Sequence, residues 1–245
     1  MIYYGLVITG TDTGVGKTEI ACGLARAFRE KGIKVGVFKP IETGCRKEKG
    51  ELIPADGLRL MEASGAEIPI AQVVPYRFSL AAAPLAAARA EGRVIFFERI
   101  YQVFDDLAGE YELMIVETAG GLMVPVNENF LFADLIQPMH LPVLIVAENK
   151  LGAINQALLS IEAIRSRGLE LLGVVLNQTE PGEVPADLLN PELIEEFGKV
   201  KVLCRIGYLE AKERAEQISK ICRELAEKIE PQVREFGRKS VLNYF

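Results

Sequence analysis

The chain has 245 residues, 49% of them hydrophobic, enough for a substantial buried core in one large domain or two small ones. Charged residues make up 25%, and 22 glycines and 12 prolines are ordinary numbers, which excludes a disordered or collagen-like chain. Lys and Arg total 28 against 34 Asp and Glu, and the net charge of −6 argues against general DNA or RNA binding, which needs a basic face. The longest apolar run, Leu80 to Ala88, is too short to span a bilayer and contains Pro84. The apolar stretch Ile2 to Ile8 lacks the basic start of a secretory signal, so a cytoplasmic protein with no membrane or nucleic-acid partner is expected. Cys22, Cys45, Cys204 and Cys222 form no CxxC pair, and His140 is the single histidine. That argues against a zinc site and a Ser-His-Asp triad.

In chain order, strand and helix signals alternate. Tyr3 to Thr9 reads as a buried strand, and Glu19 to Glu30 as an amphipathic helix stopped by Gly32. Lys34 to Phe38 is a second strand, and Asp56 to Ser64 a short helix. Helices are expected at Ala81 to Glu91 and Phe97 to Ala108. Leu113 to Val116 and Pro142 to Ala147 are further buried strands, followed by a helix from Gly152 to Arg167. Leu172 to Leu176 is a fifth strand and Lys201 to Cys204 a sixth. Pro181 to Pro185 is a loop, and Glu210 to Phe236 reads as a long helix. Strands that are apolar throughout and alternate with helices imply a mostly parallel sheet flanked by helices, an α/β fold of three layers. Nothing marks a linker, so one domain over residues 1–245 is expected, ending in a helical tail at about 209–245.

In such sheets ligands sit at the carboxyl ends of the strands. After the first strand comes Gly10-Thr11-Asp12-Thr13-Gly14-Val15-Gly16-Lys17-Thr18, a phosphate-binding loop running into a helix. Its glycines turn backbone N–H groups inward, and the helix N-terminus adds partial positive charge. Lys17 reaches the β/γ-phosphates and the Thr18 hydroxyl binds Mg²⁺. The leading glycine stands one residue further out than in the usual G-x-x-x-x-G-K-[ST] spacing. The second strand ends in Lys39-Pro40-Ile41-Glu42-Thr43-Gly44, where Lys39 is either a neutraliser of developing charge or a surface lysine before a turn. Glu117, in Glu117-Thr118-Ala119-Gly120-Gly121, suits Mg²⁺ coordination or a turn cap. Asp56 reads first as a helix cap. The loop before Asn155 opens a helix whose free N–H groups could hold a carboxylate, and Asn177 could read an adenine edge or simply form a turn. The pattern alone points to a Mg-nucleotide-dependent phosphoryl-transfer protein and does not name its second substrate.

These segments, in order from Val7 to about Gly207, resemble the dethiobiotin synthetase family. The long-spaced phosphate loop is similar to that family's own variant. Lys39 to Gly44 is similar to its K-P-x-x-[ST]-G, Glu117 to Gly121 to its E-G-A-G-G except at Thr118, and Lys150-Leu151-Gly152-Ala153-Ile154-Asn155 to its K-L-G-x-I-N. The resemblance implies a homodimeric P-loop cyclo-ligase acting on 7,8-diaminopelargonate, CO₂ (or bicarbonate) and MgATP. It assigns Lys17, Lys39 and Thr13 to catalysis, the loop from Gly10 to Thr18 to ATP, and Thr18, Asp56 and Glu117 to Mg²⁺. Thr13, Lys39, Thr43 and Gly120 would line the diamine and carbamate site. Leu151, Gly152 and Asn155 would hold the substrate carboxylate across the dimer interface. Asn177 would bind adenine, with Gly207 beside it. Thr118 stands where the family has glycine, Gln156 where some members have histidine, and Ala211 to Phe245 has no match.

A different class is also compatible with the phosphate loop, a ParA/MinD-like ATPase switch that dimerises on nucleotide. Such proteins carry a second lysine near the start of the loop, where this chain has Gly10, Thr11 and Asp12.

Overall fold

The computed structural model describes residues 4–182 and 189–242. Tyr3 and part of the loop expected at Pro181 to Pro185 lie outside the described residues. The chain begins with β1 (Tyr4–Gly10), α1 (Lys17–Glu30), β2 (Val35–Phe38), β3 (Ile41–Glu42), β4 (Arg46–Glu48), β5 (Glu51–Ile53) and α2 (Ala55–Ser64). It continues through α3 (Ile70–Val73), β6 (Tyr76–Arg77), α4 (Pro84–Ala90), α5 (Phe97–Glu110), β7 (Leu113–Glu117) and α6 (Phe132–Ile136). Then come β8 (Val143–Glu148), α7 (Ala153–Arg165), β9 (Leu171–Asn177), α8 (Asn190–Gly198), β10 (Val202–Ile206) and α9 (Ala211–Leu242).

Six strands form one sheet in the order β10-β9-β8-β1-β7-β2, and every pairing is parallel. Their side chains alternate between two cores, as the period of two requires. Val7, Val116, Ile145 and Leu176 pack with α4 to α8 on one face. Leu6, Ile8, Ile115 and Val175 pack with α1, α2 and α9 on the other. This is the expected three-layer α/β arrangement. Ile8 pairs with Glu117, Gly10 with Val146 and Asn177 with Glu148, so the carboxyl ends of β1, β7, β8 and β9 open on the same edge.

Four features were not legible as elements. β4 and β5 form an exposed antiparallel hairpin, turned at Lys49-Gly50 with both φ angles positive (49° and 91°). The two-residue strands β3 and β6 pair in parallel. α3 and α6 are one-turn pieces, and α8 begins Asn190-Pro191. The long C-terminal helix packs on α1 and β1 as part of the layered core. Cys222 and Ile218 lie against Gly23, Arg223 pairs with Glu30 at 2.7 Å, Lys31 pairs with Glu230, and the Arg234 guanidinium stands 4.3 Å over the Tyr4 ring. No described helix is long and apolar enough to cross a membrane.

Candidate active site

The phosphate loop begins where β1 ends in the middle of the sheet and closes at Gly16, the N-cap of α1, whose φ of 94° only glycine adopts without strain. Lys17 opens α1 and turns back across the loop, its Nζ donating to the Asp12 carbonyl at 2.8 Å. Burial lowers the Lys17 pKa, and the Lys39 charge adds to this while Glu117 opposes it. Below the loop, the Asn177 side-chain N–H donates to the Val15 carbonyl at 2.9 Å. The Asn177 side-chain oxygen has no partner among the described residues.

Beside the loop, three elements deliver one charge cluster. Glu117, the last residue of β7, is 1% exposed. Its Oε1 accepts from Thr18 Oγ1 at 2.8 Å and from Lys39 Nζ at 2.8 Å. Lys39, just past β2, also pairs with Asp56 on the first turn of α2. Burial alone would depress the Lys39 pKa, but Glu117 and Asp56 outweigh it and push it up. Burial likewise pushes the Asp56 carboxyl up, and Lys39 outweighs it, holding Asp56 below its ordinary value. Lys39 is thus buried and engaged by two carboxylates, which removes the surface-lysine reading.

Asp56 is not the helix cap that its position suggested. The N-cap of α2 is Pro54, which makes no side-chain cap, and Asp56 is the second helical residue. The capping comes from Glu42, on β3. Its carboxylate accepts the backbone N–H groups of Asp56 and Gly57 at 3.0 and 2.9 Å. Burial raises the Glu42 pKa, against the pull of Lys39 and those two N–H groups.

These groups line a cleft of about 540 Å³. Of the sequence-derived residues, Thr13, Gly14, Gly16, Lys17, Thr18, Lys39, Thr43, Asp56, Glu117 and Gly120 form its wall. A groove of about 340 Å³ shares Thr13 and Gly120 with it and is also lined by Gly10, Thr11, Asp12 and Gln156. Val15 is fully buried beneath the loop. Other expected residues do not join the cleft wall. Leu151 is 90% exposed, Gly152 is the N-cap of α7, Asn155 is exposed on its first turn, and Gly207 is exposed after β10. Thr118 is fully buried, its hydroxyl donating to the Gly120 carbonyl at 2.8 Å and lying 3.1 Å from Thr9 Oγ1. Glu19, Glu42, Arg59, Thr179 and Arg214 line the cleft without having been singled out. Glu19 follows Lys17-Thr18 directly, so its place on the loop helix was available from the sequence. Arg214 lies far along the chain, and nothing local signals its approach.

Mg²⁺ takes hard oxygen ligands together with phosphate oxygens. The Thr18 hydroxyl and the Asp56 and Glu117 carboxylates are such donors, side by side, and Glu117 Oε2 is a buried oxygen with no hydrogen-bond partner among the described residues. The donor set fits that ion.

A parallel sheet with a glycine-rich loop leading from its central strand into a helix, and a lysine turned back over that loop, defines a P-loop nucleotide-binding protein. Residues 4–216 match a family model described as an AAA domain. Among solved structures, the cell division ATPase MinD of Pyrococcus furiosus superposes with a TM-score of 0.56, at 18% identity over 95% of this chain and 100% of that one. A ParA family ATPase from Chlorobium tepidum gives 0.54 at 16% identity, over 92% and 96%. At these identities the likeness is one of fold.

Sequence relatives are more specific. ATP-dependent dethiobiotin synthetase BioD of Anaeromyxobacter dehalogenans (strain 2CP-C) is 46% identical over 186 residues, which is 76% of this chain and 82% of that protein. The same-named proteins of Thermodesulfovibrio yellowstonii and Aquifex aeolicus are 38% and 41% identical over 84% and 80% of this chain, covering 89% and 86% of their own lengths. The chain belongs to the dethiobiotin synthetase family, a family of ATP-dependent ligases.

Proposed function

We propose that this protein is a dethiobiotin synthetase, converting 7,8-diaminopelargonate, CO₂ and MgATP to dethiobiotin, ADP and phosphate. The observation that carries the reading is the convergence of Lys17, Thr18, Lys39, Asp56 and Glu117 on one cleft at the phosphate loop, in a chain of this family. One amine of the diamine takes up CO₂ as a carbamate. A carbamate oxygen then attacks the γ-phosphorus and ADP departs, leaving a carbamic–phosphoric anhydride. The second amine attacks the carbonyl carbon, closes the ring and expels phosphate. Every step moves negative charge among oxygens, so the useful groups are fixed cations and N–H donors. Lys17 holds the β/γ-phosphates, and Lys39 faces the carbamate and γ-phosphate oxygens. Thr18, Asp56 and Glu117 would hold Mg²⁺, which neutralises phosphate charge when bound. Thr13, Thr43 and Gly120 line the diamine and carbamate end, and Asn177, with Gly207 nearby, serves the adenine.

The reading extends to a single-domain cytoplasmic protein that works as a homodimer. Four free cysteines suit a reducing compartment. Met123 and Leu159 are large, exposed and apolar in the groove beside the loop, and Leu151 is exposed just before α7, which supports a second copy there delivering Leu151, Gly152 and Asn155 to the substrate carboxylate.

The test follows ADP release and product mass with MgATP and bicarbonate, with and without the diamine. Diamine-dependent ADP release with a product of dethiobiotin mass, abolished by EDTA and restored by Mg²⁺, is expected. Slow ATP turnover indifferent to the diamine would sink the synthetase reading and bring the ATPase switch forward.

A further inference from the structure

Glu42 is a buried carboxylate, 5% exposed, that none of the steps above uses. Its backbone is fixed twice over. β3 pairs with β6 in parallel, and the Glu42 carbonyl accepts the Phe78 N–H at 2.9 Å. Its side chain points to the start of α2, where both carboxylate oxygens are used, one on the Asp56 N–H and one on the Gly57 N–H. The first N–H groups of a helix have no partner within it, and Pro54 at the N-cap supplies none. A carboxylate there satisfies two of them with charge-assisted bonds and complements the helix dipole. Gly57 permits the close packing of this turn, since a Cβ on it would come 2.2 Å from Val74 Cγ2.

The consequence reaches Asp56. Between Glu42 and Asp56 the chain leaves the core, runs out along the exposed β4–β5 hairpin and returns. Glu42 is the point at which the two ends of that excursion are joined. Asp56 hangs from the turn that Glu42 holds, and its carboxylate meets Lys39 on the phosphate side of the cleft.

We propose that Glu42 is a positioning residue for the reaction: by gripping the first turn of α2 it sets the Asp56 carboxylate against Lys39 and the nucleotide-bound metal. The inference rests on the reading of Asp56 as a ligand of that metal. Glu42 acts through Asp56, since both of its carboxylate oxygens are taken up by the N–H groups of that turn. Glu42→Gln replaces one acceptor with an N–H₂ facing a backbone N–H, so the turn moves and Asp56 moves with it.

The experiment measures binding of Mn²⁺ in the presence of ADP, read from the free-Mn²⁺ resonance, without diamine or bicarbonate. Glu42→Gln, Asp56→Asn and the double variant are compared with the unaltered protein, with thermal unfolding recorded for each. Glu42→Gln is expected to weaken Mn²⁺·ADP binding about tenfold, and the double variant to bind within about twofold of Asp56→Asn, because coupled residues are not additive. In turnover, the Mg²⁺ concentration for half-maximal rate should rise more than the maximal rate falls. Wild-type Mn²⁺·ADP binding in folded Glu42→Gln, or effects that multiply in the double variant, overturns the proposal. If Glu42→Gln does not fold, Glu42→Asp, one methylene too short to reach both N–H groups, is judged by the same two comparisons. An Asp56→Asn protein that binds Mn²⁺·ADP normally overturns the ligand reading and the positioning role with it. Coupled loss of binding in a protein that lacks diamine-dependent turnover overturns the synthetase reading alone.

Discussion

Lys39 donates to Glu117 at 2.8 Å, joining two buried side chains that lie 78 positions apart in the chain. With Asp56 on its other side, Lys39 is the charge that lets both carboxylates stand at the cleft. Removing one partner of a buried ion pair leaves an uncompensated charge and costs about 3–5 kcal/mol. Lys39→Ala should therefore lower the denaturant midpoint at neutral pH and reduce turnover by at least about a hundredfold, as loss of a fixed transition-state donor does. The pH dependence has a definite sign. Lys39 holds the Asp56 pKa down, so its stabilising effect is present above the ordinary carboxylate range and is lost as pH falls. The stability gap between the two proteins should narrow as Asp56 is protonated. A gap unchanged at acid pH would rule out the electrostatic account.

Arg214 and Glu19 should matter for nucleotide affinity. The Arg214 guanidinium grips the Glu19 carboxylate through two bonds of 2.7 and 2.6 Å, and both residues line the cleft. Glu19 lies in the first turn of the phosphate-loop helix, where negative charge would repel incoming phosphates. Arg214→Ala should weaken MgADP binding by a factor of about five, near 1 kcal/mol for a partly exposed pair. Adding Glu19→Gln should restore most of it. Calorimetric titration with MgADP reads both, and no recovery in the double variant would refute the repulsion argument.

The contact between α1 and the C-terminal helix has no room to spare. A Cβ on Gly23 would stand 2.4 Å from Cys222 Sγ and 2.9 Å from Cys222 Cβ. Gly23→Ala should destabilise the fold by about 1–3 kcal/mol through overpacking, despite the better helix propensity of alanine. Cys222→Ala on that background should recover part of the loss. Urea unfolding of the three variants measures it, and a neutral Gly23→Ala would show that the helices are not locked together here.

Thiol reactivity should rise with pH well beyond the usual range. Burial pushes Cys204 up to about 11, and the thiolate is the reactive form. Cys204 is also the least buried of the four cysteines. Its alkylation by iodoacetamide in the folded protein should be the fastest of the four and climb about tenfold per pH unit through pH 9 and 10, where an ordinary thiol with a pKa of about 8.5 has levelled off. Mass mapping of the labelled peptides checks this, and a plateau near pH 9 would contradict it.

The central strands were legible because they are apolar on both faces, a pattern only a covered parallel sheet produces. Lys17, Thr18, Lys39 and Glu117 were legible because each follows a strand that could be read. The hairpin from Arg46 to Ile53 was missed because it is charged and pairs only with itself. Lys49-Gly50 was its one signal, a two-residue turn with positive φ at both positions. The start of α2 was misassigned because its cap comes from Glu42, 14 positions away, and capping is normally sought within three. Arg214 escaped for the same kind of reason, since its partner Glu19 is 195 positions distant.

The meeting of Arg234 with the Tyr4 ring carries a consequence for how the chain could be rewired. It brings the last helix over the first strand, so a flexible linker could lead from α9 back to β1 and the backbone could be opened elsewhere. Circular permutation succeeds at exposed loop tips, and Lys49-Gly50 is such a tip, outside the six-stranded sheet. A permutant opened there should keep the strand order and the cleft, because the two severed limbs remain clasped without a covalent link: the Glu42 carboxylate on one still holds the first turn of α2 on the other.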